Sequence, residues 1–119
     1  MPRRLRSAAL ALAAIAAPAP ALAHAHLLSA SPAPDARLAS PPAEVRLTFS
    51  EPLEPAFSGF TVQGPAGFSG MTAKVAADRR TLAGAPKGPL PPGRYVVRWR
   101  AMAADSHHTQ GTFSFQVGR

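Results

Sequence analysis

The sequence predicts an all-β sandwich of about seven short strands, and three observations carry that prediction. Apolar and polar residues alternate over short runs, and clusters of Pro and Gly separate those runs. No segment shows the 3.6-residue apolar period of a long helix. The stretch LPPGRYVVRW adds a tyrosine just inside a strand after a Pro-Gly corner, the pattern of a tyrosine corner. Together these favour an immunoglobulin-like sandwich with Greek-key connections.

The elements follow in chain order. Residues 1–23 read as a secretory signal peptide: MPRRLRS is a basic start, AALALAAIAA an apolar core, and PAPALA a breaker with small residues before a cleavage point. An uncleaved anchor is the competing reading, but the apolar run is short for a membrane span. Cleavage after Ala23 leaves residues 24–119 as one β-sandwich domain, although AHA allows cleavage after Ala25 as well. HAHLLSASP reads as a first edge strand. EVRLTFS sets Val45, Leu47 and Phe49 on one face against Glu44, Arg46 and Thr48. SGFTVQG, TAKVAA and RRTLAG are shorter strand candidates. GRYVVRWRA aligns Tyr95, Val97 and Trp99 against Arg94, Arg98 and Arg100, and GTFSFQV aligns Phe113, Phe115 and Val117. Tyr95, Trp99, Phe113 and Phe115 are expected in the core. Such a short domain has little room for a deep substrate cleft beside that core.

Composition narrows the chemistry. The whole chain carries 13 Lys and Arg against 6 acids. Removing Arg3, Arg4 and Arg6 leaves 10 against 6, so the net charge falls from +7 to +4. The remaining basic residues are scattered and not interleaved with aromatics, which gives no support for nucleic-acid binding. Cysteine is absent, so stability must come from the apolar core, and thiolate catalysis, iron–sulfur clusters and Cys-type zinc sites are excluded. A metal would have to be held by nitrogen and oxygen, with thioether as a minor option.

The four histidines lie at the two ends, in ALAHAHLLSA and ADSHHTQ. With cleavage after Ala23, His24 offers an α-amine and an imidazole nitrogen from one residue, a chelate that suits Cu(II). A rival mode uses His26: a free amine followed by histidine in third place can wrap a square-planar ion with backbone amides. At the other end Asp105 and His107 are one residue apart. In an extended segment both side chains point the same way and can converge on one ion, while His108 points away. Asp-x-His also commonly caps a turn. A sandwich can bring its first and last strands together, so one site could collect from both ends.

The sequence resembles the CopC family of periplasmic copper-binding, copper-resistance proteins. The matching stretches are HAHLLSASPA, VRLTFSEPLEPAFSGFTV, LPPGRYVVRWRAMAADSH and the closing GTFSFQV, in the family's order over nearly all of residues 24–119. The resemblance implies one Cu(II) site built from His24, Asp105 and His107, with Glu51 as a weak or outer-sphere contact. By composition alone Glu51 is a solvated strand-end carboxylate. The resemblance also implies a copper buffer or carrier rather than an enzyme, located in the periplasm or secreted. Its implied partner is a copper-transporting inner-membrane protein of the CopD type or another copper chaperone. No nucleic acid or small-molecule substrate is expected, and the expected form is a monomer. Some family members add a methionine-rich Cu(I) segment. This chain departs there, because Met71 and Met102 stand alone and Met102 is expected to pack. Two other readings compete: a copper-dependent redox enzyme using the N-terminal chelate, and a metal-free structural sandwich.

Overall fold

The computed structural model describes residues 24–118, so the expected signal peptide at 1–23 lies outside the described residues. Eight strands form along them: β1 (Leu27–Ser31), β2 (Arg37–Leu38), β3 (Val45–Phe49), β4 (Gly59–Gln63), β5 (Met71–Val75), β6 (Thr81–Pro86), β7 (Gly93–Met102) and β8 (His108–Val117). A single 3-10 turn, Pro55–Phe57, joins the path between β3 and β4. One sheet has the order β1-β3-β6-β5 and the other β2-β8-β7-β4. The chain changes sheet at every connection except β5 to β6 and β7 to β8, which closes a two-layer sandwich.

Alternation does what it predicts on the central strands. Val45, Leu47 and Phe49 of β3 are buried, and so are Tyr95, Val97 and Ala101 of β7. They meet Phe115, Val117, Leu82 and Phe60 between the layers. Tyr95 stacks on Phe115 with ring centroids 5.2 Å apart. Its hydroxyl donates to the carbonyl of Pro91, four residues upstream, so the expected tyrosine corner is present. Burial raises the Tyr95 phenol above its ordinary pKa, which keeps the hydroxyl protonated as that donor.

Three details depart from the sequence expectation. The strands number eight because β2, only two residues long, pairs in parallel with the end of β8. Two residues are too few for a periodic signal, and only the neighbouring strand makes them a strand. Trp99 and Phe113 are half-buried, packed against the core rather than inside it. Trp99 sits edge-on to Phe49 at 5.2 Å and lies across Gly111, its partner on β8. A Cβ at Gly111 would stand 2.5 Å from the indole, so the glycine makes room for the ring. Finally, β1 is a bulged edge strand, its register with β3 shifting between Leu27 and Ser29.

β7 and β8 form a long hairpin whose register runs from Gly93↔Val117 to Met102↔His108. The loop between them, residues 103–107, therefore projects from one end of the sandwich. The start of β1 reaches that same end, because Leu27 pairs with Phe49 at the end of β3.

Candidate metal centre

Residues 24–26 precede β1 and have no strand partner, yet they are held at four points. The Ser50 hydroxyl donates to the carbonyl of His24 at 3.2 Å and accepts the His26 N–H at 2.9 Å. The Ser50 N–H donates to the carbonyl of His26 at 2.9 Å. From the other sheet, the Thr109 hydroxyl donates to the carbonyl of Ala25 at 2.7 Å. The Ala25 side chain is fully buried (0% exposed) and belongs to the core. Arg80 donates through its guanidinium to the carbonyl of Ser50 and braces the residue that holds the segment. The N-terminal segment is thus clamped between the two sheets, and the clamp decides where the His24 ring lies.

That ring lies beside His107. The ring centroids of His24 and His107 are 4.9 Å apart with the planes inclined at 57°, whereas His24 and His26 are 6.1 Å apart. Both His24 and His107 are half-buried, and His26 and His108 are exposed. The histidines of the two chain ends are therefore brought together in the fold, but only one from each end.

Local geometry at Asp105 differs from the extended segment expected there. Residues 104–106 form a turn, with Ser106 in the left-handed region at φ 70°. The Asp105 carboxylate closes this turn by accepting the His107 N–H at 3.1 Å through Oδ1. Its Oδ2 lies 2.9 Å from Nδ1 of the same imidazole. Short polar side chains favour this arrangement because they can hydrogen-bond the backbone two residues on. The two side chains meet for a different reason than strand alternation: the carboxylate grips the imidazole itself. Hydrogen bonds from the His107 ring, then from its backbone N–H, hold the Asp105 carboxyl below the usual carboxylate range, and the nearby His24 adds a smaller electrostatic contribution.

This arrangement leaves Nε2 as the ring nitrogen of His107 free for a ligand. A carboxylate on the far nitrogen fixes the tautomer and raises the basicity of the imidazole, as it does for metal-bound histidines. Among the described residues, no three His, Asp or Glu side chains stand as a closed cage around a single point. His24 and His107 form the close pair, and Asp105 touches it through His107. Glu51 follows Ser50 and is half-buried, and no hydrogen bond or ion pair among the described residues involves it. His108 begins β8 opposite Met102, outside the His24–His107 pair. Met71 is a core residue of β5, and Met102 is half-buried on β7. Sequence reasoning missed Ser50, Thr109 and Ala25, which have no motif of their own. Their role exists only once the two sheets face each other.

The CopC domain matches residues 27–118 of this chain. Copper resistance protein C of Escherichia coli is 40% identical over 100 residues, covering 76% of this chain and 79% of that protein. Copper resistance protein C of Pseudomonas syringae pv. tomato is 36% identical over 99 residues, covering 76% and 78%. Among solved structures, CopC from Methylosinus trichosporium OB3b aligns with a TM-score of 0.70 at 33% identity, covering 80% of this chain and 94% of that one. PcoC, a methionine-rich copper resistance protein from Escherichia coli, aligns with a TM-score of 0.65 at 38% identity, covering 80% and 99%. With the sandwich, the domain match and these relatives in agreement, the chain belongs to the CopC family.

Proposed function

We propose that this protein is an exported, periplasmic or secreted copper carrier that binds one Cu(II) at the centre formed by His24, Asp105 and His107. The observation that supports it best is the approach of the His24 and His107 rings to 4.9 Å, with Asp105 already hydrogen-bonded to His107. The donor set fits the ion. Imidazole nitrogen, an α-amine and carboxylate oxygen are borderline-to-hard ligands, which suit Cu(II) better than Cu(I) and favour it over other divalent ions. In this reading His24 supplies amine and imidazole, His107 supplies Nε2, and Asp105 orients His107 and balances charge. Glu51 contributes as an outer-sphere carboxylate from the segment that Ser50 anchors. The copper is cargo, and the protein buffers it or passes it to a CopD-type membrane protein or another chaperone; it acts as a monomer and not as an enzyme.

The rival amide-wrapping mode through His26 has less support from the fold. It needs the backbone nitrogen of His26 as a ligand, and that N–H is committed to Ser50. It would also have to pull Ala25 from the core. The folded chain therefore favours the mode that joins the two ends.

Copper titration of protein that begins at His24 tests the proposal. Retaining residues before His24, or adding an N-terminal tag, should weaken Cu(II) binding severely by blocking the amine. His107→Ala should do likewise, while His108→Ala should bind as the parent does. Full affinity in the tagged protein, or equal losses in the two histidine variants, would refute the assignment.

A further inference from the structure

We propose that the outer face of the β2-β8-β7-β4 sheet is a docking surface for an anionic lipid bilayer. Tyr95 and Val97 point into the core, so Arg94, Arg98 and Arg100 of β7 project outward, and all three are exposed. Arg37 of β2 joins them, lying beside Gln116, which in turn pairs with Arg94. Arg98 and Arg100 are about 7 Å apart along the strand, Arg94 and Arg98 about 13 Å, and Arg37 stands about 10 Å from Arg94 across β8. The four arginines therefore stand on one face of the sheet.

Nothing on that face neutralises them. The four strands contain no Asp or Glu, and among the described residues none of the four arginines makes an ion pair. Carboxylates lie only at its border: Asp35 beside a shallow depression that also touches Arg94, Glu54 next to the end of β7, and Asp105 in the hairpin loop. The opposite sheet differs, because its Arg46 is paired with Glu44 at 3.1 Å.

The rest of the face selects the kind of partner. Thr61, Gln63, Gln110, Thr112 and Gln116 flank the arginines on the neighbouring strands, all exposed and polar, and Val96, half-buried between Arg94 and Arg98, is a lone apolar residue among them. Protein interfaces draw their strength from a buried apolar centre with aromatic anchors. This face has no such centre, so its attraction must be electrostatic and spread over a plane, as a layer of anionic headgroups would be. Each basic residue held at such a surface strengthens binding about fivefold, and the effect fades beyond a Debye length. Docked flat, the sheet would bring the 103–107 loop at the end of the same hairpin close to the bilayer.

Flotation of the exported protein with lipid vesicles tests this independently of copper. Protein should float with phosphatidylcholine vesicles containing phosphatidylglycerol at low salt, and remain behind with phosphatidylcholine alone or at high salt. Arg98→Gln combined with Arg100→Gln should lower partitioning about 25-fold. Lys74→Gln combined with Lys87→Gln removes the same charge from the other sheet and should cost far less. Both pairs are exposed, so unchanged melting temperatures are expected and keep the comparison fair. Equal losses in the two double variants would mean that net charge alone drives binding, and would overturn the proposal. Tighter capture by polyglutamate or by oligodeoxythymidine than by the anionic vesicles would give the face to an acidic protein or a nucleic acid instead.

Discussion

Weakening the clamp on residues 24–26 should weaken copper binding without touching a single proposed ligand. The clamp consists of the four hydrogen bonds from Ser50, His26 and Thr109 together with the buried methyl group of Ala25. Each such bond contributes about 1 kcal/mol net, and burying the methyl adds slightly under about 1 kcal/mol. Ordering three residues costs about 1.5 kcal/mol apiece. The balance leaves the clamped state favoured by only about half a kcal/mol, so every bond removed depopulates it. Apparent affinity scales with the competent fraction. Thr109→Val deletes one bond and should raise the Cu(II) dissociation constant about twofold; Ser50→Ala deletes two and should raise it about tenfold. The double variant should lose about 50-fold. Thr109→Ser keeps the hydroxyl and should behave as the parent. The assay is competition with a chromophoric copper chelator, on protein beginning at His24. If the double variant binds within a factor of two of the parent while His107→Ala fails to bind, the clamp does not hold the ligand and the reasoning is wrong.

Two further outcomes follow from groups outside the centre. The Asp78 carboxylate is held below its ordinary pKa, first by the Thr81 hydroxyl and then by the Arg80 N–H. A depressed folded-state value stabilises the fold above about pH 4, the unfolded range of Asp, and that contribution disappears as pH falls through the folded value. Melting curves should therefore show the parent losing more stability on acidification below about pH 4 than Asp78→Asn does. Tyr95→Phe removes the donor to Pro91 and leaves a carbonyl without its partner, so chemical denaturation should report a loss of about 1–2 kcal/mol, with the proposed metal ligands untouched.

Much of the sandwich could be read without coordinates, because strand alternation is a local property. The faces of EVRLTFS and GRYVVRWRA follow from side chains pointing alternately up and down, and those residues are buried as the period of two requires. The tyrosine corner is equally local, spanning only Pro91 to Tyr95. The absence of thiolate ligands was equally legible, since a chain without cysteine offers only nitrogen, oxygen and thioether donors. What the sequence could not decide was which residues meet. β2 exists only because β8 runs beside it, and Trp99 stops short of the core only because Gly111 lets it lie across the hairpin. Asp105 meets His107 through a turn that alternation does not describe. His24 faces His107 rather than His26 because Thr109 and Ser50, one from each sheet, pin the chain end between the layers. Those contacts span 84 and 26 residues of sequence, and no local pattern records a distance that only packing two sheets together creates.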